Sequence, residues 1–163
     1  MHFNLKPLLL LLLPALALSS PLHTTIPHNQ TTTPGSAMVR NNCNFSIYLW
    51  SVGSTVGPER HLPQGTSYSE IFRRDPQTGG VSIKLTTVRN GLSTSAAQTI
   101  FAYNLVEERV WYDLSDVFGD PFKGHRVFLD GETNIIWEGG VPPPGGSRVG
   151  NQRSDRGLTL TVC

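Results

Sequence analysis

Hydrophobic and polar residues alternate over several short segments of the chain. Residues 81–85 (Val-Ser-Ile-Lys-Leu) and 158–162 (Leu-Thr-Leu-Thr-Val) alternate strictly, a period of two that turns one face of a β-strand to a core and the other to water. Residues 45–50 are largely apolar on both parities, which is typical of a central strand. Further short runs predict strands at residues 37–41, 67–73, 99–106, 109–114, 125–129 and 134–137.

Glycine, proline, asparagine and aspartate separate these segments and mark turns and loops. Residues 93–98 contain candidate helix caps, but no apolar period of 3.6 continues past them, so we expect a loop there. Residues 139–150 contain three consecutive prolines and several glycines, which exclude a central strand and predict a long exposed loop. Many short strands joined by such turns predict an all-β fold, an antiparallel β-sandwich with long loops.

The N-terminal residues have the pattern of a secretory signal peptide. Lys6 precedes a leucine-rich run that Pro14 interrupts, and small residues follow at Ala17 and Ser19, as a signal peptidase requires. The run is shorter than the roughly 20 apolar residues that a membrane helix needs. We therefore predict a cleaved signal peptide at residues 1–19 and an exported protein that keeps no membrane helix.

A threonine- and proline-rich segment at residues 20–35 has almost no core-forming side chains. Such a composition buries too little apolar surface to order itself, so we predict a disordered tail ahead of one domain at residues 36–163. Two N-glycosylation sequons are present, at Asn29 in the tail and at Asn44 in the domain. We expect Asn29 to be the better acceptor, because Asn44 would lie in a strand beside a disulfide.

The chain contains two cysteines, Cys43 and Cys163. Disulfides form and persist in exported proteins, so we predict that these cysteines pair and join the beginning of the domain to its end. The alternative is a pair of free, buried thiols, which would leave the two ends of the domain without a covalent connection.

The charge pattern gives no indication of a polyanionic partner. The chain carries 13 basic and 12 acidic residues without a cluster of lysine or arginine, so we expect neither nucleic acid nor a membrane surface as a partner. The histidines are scattered, and neither a phosphate-binding glycine loop nor a G-x-S-x-G motif is present. The sequence therefore predicts no metal site, no cofactor and no serine hydrolase.

Three aspartates within a short segment, Asp113, Asp116 and Asp120, are candidates for chemistry. Glycosidases need two carboxyl groups about 5–9 Å apart, which these residues would have to supply. A calcium site is also compatible with these oxygens, although their spacing is not that of an EF-hand loop. The simpler interpretation is that Asp116 and Asp120 are turn formers that accept hydrogen bonds from nearby backbone N–H groups.

Aromatic side chains can stack on a sugar or anchor a protein partner. In a sandwich of this size most of them fill the space between the sheets, so only those on loops or outward faces are candidates. Trp137 precedes a Glu-Gly-Gly turn. We therefore predict that Trp137 is partly exposed and available to a ligand.

Several motifs of the domain resemble one known family. They lie at residues 37–43 (Ala-Met-Val-Arg-Asn-Asn-Cys), 47–53, 62–65, 68–70, 73–76, 110–115 (Val-Trp-Tyr-Asp-Leu-Ser), 118–122, 144–147 and 158–163. With these motifs the chain resembles the fungal Blastomyces yeast-phase-specific protein family, which is itself similar to thaumatin-like (osmotin-like) proteins. The resemblance covers essentially the whole domain and implies a thaumatin-like β-sandwich.

Glucan-active thaumatin-like proteins use an acidic cleft, and the resemblance carries one of its carboxylates to this chain. The aspartate of the Tyr-Asp segment corresponds to Asp113, whereas the cleft glutamate and a second aspartate correspond to Ala102 and Phe118. Glycoside hydrolysis then lacks its acid or base partner. The resemblance therefore implies a protein without enzymatic activity.

Together these observations predict a secreted fungal protein of the extracellular space or cell wall. We expect a monomer that binds a cell-wall glycan or a host protein through residues 113–122 and 139–150. Two alternatives stay open, a weak β-glucan hydrolase using Asp113 with Asp116 or Asp120, and a structural or developmental cell-wall protein without a discrete ligand. The candidate ligand-binding residues are Asp113, Asp116, Asp120 and Trp137.

Overall fold

Strands joined by turns and loops make up residues 33–146 and 148–163, which are the residues described by a computed structural model. The strands are β1 Ser36–Asn41, β2 Ile47–Val52, β3 Arg60–Leu62, β4 Ser67–Ile71, β5 Val81–Thr86, β6 Gln98–Val106, β7 Arg109–Val117, β8 Val127–Asp130, β9 Ile135–Trp137, β10 Gly150–Arg153 and β11 Leu158–Val162. Among the described residues no helix is long and apolar enough to cross a membrane. The predicted signal peptide, Asn29 and most of the predicted tail lie outside the described residues.

The strands form two sheets whose inner faces share one core, so the predicted all-β sandwich is confirmed. One sheet has five strands in the order β4-β1-β11-β8-β9, and the other has six in the order β10-β7-β6-β5-β2-β3. Within the described part of the chain the strand pairs are antiparallel, except that β1 runs parallel to β11. The six-stranded sheet positions the candidate site.

The strictly alternating segments form strands as predicted. β5 and β11 bury every second side chain, because one face of each lies against the core.

The sequence pattern does not predict β3 or β10. Gly150 begins β10 at the end of the predicted 139–150 loop and packs closely on the ring of Tyr112. β10 therefore forms because it pairs with β7, and not because its residues have a high β-propensity.

Trp137 belongs to the core and not to the surface. Its exposed fraction is 2%, so the prediction that it is partly exposed and available to a ligand is wrong. Trp137 ends β9, where alternation turns Ile135 and Trp137 inward and Ile136 outward. The glycines that follow are at the turn beyond the strand and do not expose the indole.

The predicted disulfide between Cys43 and Cys163 is confirmed, with the two Cα atoms 4.8 Å apart. It joins the segment after β1 to the end of β11, so it closes the parallel pair at the middle of the five-stranded sheet. The amide of buried Asn41 fixes the same segment, since it donates to the carbonyls of Phe45 (2.8 Å) and Leu62 (2.9 Å). The start of β2 is therefore held covalently and by buried hydrogen bonds.

Candidate functional site

The outer face of the six-stranded sheet carries a groove of about 410 Å³. Alternation turns one set of side chains of β5, β6 and β7 outward, and these line the groove: Ser82, Lys84, Ala102, Asn104, Trp111 and Asp113. Thr78 and Gly80, ahead of β5, and Val149, ahead of β10, also line it. Strands therefore supply most of the groove, which makes its geometry rigid.

Strand register sets the neighbours of Asp113 in the groove. Ala102 lies directly opposite Asp113, Ser82 lies opposite Ala102, and Val52 lies opposite Ser82, so the four form one row across the sheet. Directly opposite residues on one face have Cβ atoms about 4.5–5.5 Å apart. The position closest to the Asp113 carboxylate on β6 is therefore filled by a methyl group.

Several polar side chains of the groove, unlike the Thr78 hydroxyl that donates to the Gly80 carbonyl (2.8 Å), have no hydrogen-bond or ion-pair partner within the described part of the chain. This holds for the Lys84 ammonium, the Ser82 hydroxyl and the Asp113 carboxylate, and the amide oxygen of Asn104 is buried and unpaired. Burial raises the pKa of Asp113. A buried polar atom without a partner is costly in a folded protein, and the Asn104 oxygen is such an atom. The half-buried side chains of Lys84, Ser82 and Asp113 lie beside it and add polar groups that can contact a ligand.

Trp111 adds an aromatic surface to the groove. Its side chain is 43% exposed, and it lies opposite Asn104 on β6 and Asn151 on β10. Sequence reasoning did not select Trp111, although a signal for it exists. In β7 the residues Val110 and Tyr112 are buried, and a strand that turns these two inward must turn Trp111 outward.

The three candidate aspartates are not brought together. Asp113 and Asp116 are three residues apart within β7, so they point to opposite faces of the sheet. Asp113 lines the groove, whereas Asp116 accepts a hydrogen bond from the Thr99 hydroxyl (2.6 Å), and neither Asp116 nor Asp120 lines the groove. Because Asp116 is within a strand, its interpretation as a turn former is wrong. Among the described residues no group of three or more His, Cys, Asp or Glu could hold a metal ion.

A family model described as Blastomyces yeast-phase-specific protein matches residues 24–163. The chain belongs to this family. The family identity predicted from the sequence motifs is thereby confirmed, and it covers the groove, the disulfide and both sheets.

Curated relatives of this chain carry thaumatin-like names. It is 34% identical over 112 residues to the antigenic thaumatin-like protein of Arthroderma benhamiae, a match that covers 66% of this chain and 55% of the relative. It is 33% identical over 84 residues to the secreted thaumatin-like protein calA of Emericella nidulans, covering 51% of this chain and 46% of the relative. The chain thus spans about half the length of the curated relatives it matches.

The fold also matches a solved structure. The protein elicitor MoHrip2 of Magnaporthe oryzae is 25% identical to this chain and superimposes with a TM-score of 0.65, covering 79% of this chain and 98% of that chain. This match and the thaumatin-like relatives confirm the thaumatin-like sandwich predicted from the sequence.

Asp116 has an unusual electrostatic environment on the core side of β7. Burial raises its pKa to about 7; the Thr99 hydroxyl opposes this rise, and the charge of Asp120 adds to it. Its second carboxylate oxygen is buried and unpaired within the described residues. In the native state the carboxyl of Asp116 therefore holds its proton over a pH range in which an unfolded chain releases it.

We expect Asp116→Asn to stabilise the protein near pH 7.5 and to leave its stability unchanged near pH 4. The native pKa is raised above the ordinary value of about 3.9, so this group's contribution is full below pH 4 and is lost as the pH rises through 7. The gain at pH 7.5 should be about 1 kcal/mol, since water reaches part of the side chain. Urea unfolding at pH 4, 5.5 and 7.5 measures it. The exposed Asp130, changed to Asn, is the control, and a gain independent of pH would contradict the prediction.

Proposed function

We propose that this protein is a secreted, non-catalytic binding protein whose groove holds a neutral cell-wall glycan. The observation that carries the proposal is the convergence of unpartnered polar groups, those of Asp113, Lys84, Ser82 and Asn104, beside the exposed ring of Trp111. Secretion is supported by the signal-peptide pattern, by the disulfide and by the relative named as secreted.

The chemistry of the groove suits a sugar without charge. An aromatic face packs on the C–H face of a sugar ring, and carboxylate and amide oxygens accept hydrogen bonds from its hydroxyl groups. Lys84 donates from the other side of the groove. Asp113 and Lys84 carry opposite charges and leave the groove without net charge, so a charged polysaccharide gains no net electrostatic attraction there. A neutral polysaccharide such as β-glucan or chitin therefore loses nothing by lacking charge.

Binding without hydrolysis follows from the shortage of carboxylates. Glycoside hydrolysis uses a second carboxyl group about 5–9 Å from the first. Among the described residues that line the groove, Asp113 alone carries a carboxylate. The residue opposite it on β6 is Ala102. The hydrolase alternative that combines Asp113 with Asp116 also requires two side chains on one face of β7, whereas they lie on opposite faces.

The test is retention of the purified protein on insoluble β-1,3-glucan, chitin and whole fungal cell wall, with reducing sugar assayed in the same tubes. We expect retention without sugar release. Trp111→Ala should weaken binding about 30-fold and Asp113→Asn about 10-fold, as for an aromatic anchor and a hydrogen-bonding group at the centre of an interface.

Ile136→Ala is the matched control, because Ile136 is also 43% exposed but lies on β9 of the other sheet. It should bind like the unaltered protein. If the Trp111→Ala variant were retained on the polysaccharides as well as the unaltered protein, the groove would not be the binding site. Sugar release that disappears in Asp113→Asn would instead support the hydrolase alternative.

A host protein is the second candidate ligand. The structural likeness to MoHrip2, which is described as a protein elicitor, favours it, and the groove is continuous with the exposed side chain of Val149. A folded protein that binds none of the polysaccharides, and whose Trp111→Ala variant loses binding to a host-protein extract on a biosensor surface, would favour this candidate over the glycan.

A further inference from the structure

The sequon at Asn44 lies in an exposed bend and not in a strand. β1 ends at Asn41 and β2 begins at Ile47, so the predicted strand at residues 45–50 starts two residues later than expected. The side chain of Asn44 is exposed and has no partner among the described residues. The expectation that a strand would hide Asn44 is therefore wrong.

The disulfide beside the sequon does not protect it either. Cys43 pairs with Cys163, which is 120 residues further along the chain. At a synthesis rate of about 5–20 residues per second, Cys163 follows roughly 6–24 s later. During this interval the chain around Asn44 is reduced, and because β1 pairs with β11, its partner strand has not yet been made. A glycosyltransferase of the secretory pathway would meet the sequon in an unfolded chain.

The folded protein also has room for a sugar at this position. The bend is fixed from its inner side, where the amide of buried Asn41 binds the Phe45 carbonyl and accepts from the Cys43 N–H (2.9 Å). These contacts leave the Asn44 side chain on the outer side. A glycan attached there displaces no contact of the core, so it does not oppose folding.

From this geometry we propose that Asn44 carries an N-linked glycan. The proposal rests on the proposed secretion and not on ligand binding. Asn44 precedes β2, whereas Val52 of the groove ends it. At about 3.3 Å per residue the strand separates them by roughly 17 Å or more. The glycan therefore stands at the end of the sandwich away from the groove and leaves the groove open.

The experiment is secretion from a yeast host under the host's own signal peptide, so that entry into the secretory pathway does not depend on residues 1–19. The starting protein carries Asn29→Gln, which removes the other sequon. We expect its intact mass to exceed that of the polypeptide and to fall after treatment with peptide N-glycosidase F. Deglycosylation in H₂¹⁸O should label residue 44.

Asn44→Gln and Ser46→Ala should each abolish the added mass, whereas Ser46→Thr keeps the sequon and should keep the mass. If the two loss variants are not secreted, the ¹⁸O label on the starting protein still decides the question. A secreted protein with its disulfide formed, but with the bare polypeptide mass, would overturn the proposal. A glycosylated protein that binds no polysaccharide would contradict the proposed function alone, so the two failures are distinguishable.

Discussion

Replacing Cys43 with serine is expected to lower the free energy of unfolding by about 4–5 kcal/mol. The disulfide spans 120 residues, and in the chain-entropy model a loop of this length restricts the unfolded state by about that much. Single domains are stable by only about 5–15 kcal/mol, so the variant should be close to its unfolding threshold at 37 °C. Urea or guanidinium unfolding followed by tryptophan fluorescence measures the loss.

Two further variants, which replace Cys163 alone or both cysteines together, are the controls. Cys163→Ser and the double variant should lose as much stability as Cys43→Ser, because all three remove the same cross-link and their effects are not additive. Reduction of the unaltered protein should move its unfolding midpoint to that of the variants. A loss below about 1 kcal/mol would show that the pairing of β1 with β11 holds the ends of the domain without the cross-link.

Trp137→Ala is the second change for which we expect a large effect, a loss of about 3–5 kcal/mol of stability. The indole is buried between the sheets, and truncation removes its transfer free energy and leaves a cavity. Trp137→Phe retains much of the volume and should cost less. Chemical unfolding gives both values, and the polysaccharide pull-down should show that folded Trp137→Phe binds like the unaltered protein.

A change at Ile136, the neighbour of Trp137 on β9, distinguishes the cost of losing a buried side chain from a general effect of mutating this strand. Ile136 faces outward from β9, so Ile136→Ala should change the free energy of unfolding by no more than about 0.5 kcal/mol. If the two alanine variants were equally destabilised, the inward direction of Trp137 would be wrong. If Trp137→Phe lost polysaccharide binding while its stability was retained, the interpretation of Trp137 as a core residue would be wrong as well.

The chemistry of the groove depends on one position of β6. Ala102 lies opposite Asp113, at the place where the resemblance to thaumatin-like proteins puts a glutamate. A methyl group there neither donates nor accepts a proton, and it leaves more room above the sheet than a glutamate would. In the proposed binding mode the ligand contacts come from Trp111, Asp113 and Lys84, without a second carboxyl group to complete an acid and base pair of the glycosidase kind.

The sequence by itself determined the fold class, the disulfide and most of the strands. Strict alternation in β5 and β11 needs no information from elsewhere in the chain, because a period of two has one interpretation when one parity is apolar and the other polar. Two cysteines in a chain with a signal-peptide pattern also predicted the pairing, which the structure confirms. Family motifs then added the thaumatin-like form of the sandwich.

Only the tertiary structure decided which side chains face the core where both parities are apolar or both are polar. Ile136 and Trp137 are both apolar; alternation along β9 puts them on opposite faces, and the packing of β9 on the core decides that Trp137 is the buried one. Asp113 and Asp116 are both acidic, and their separation became clear once β7 was seen to continue through both. Local patterns give the relative orientation of neighbouring side chains, whereas the direction of the core is set by residues that are distant in the sequence.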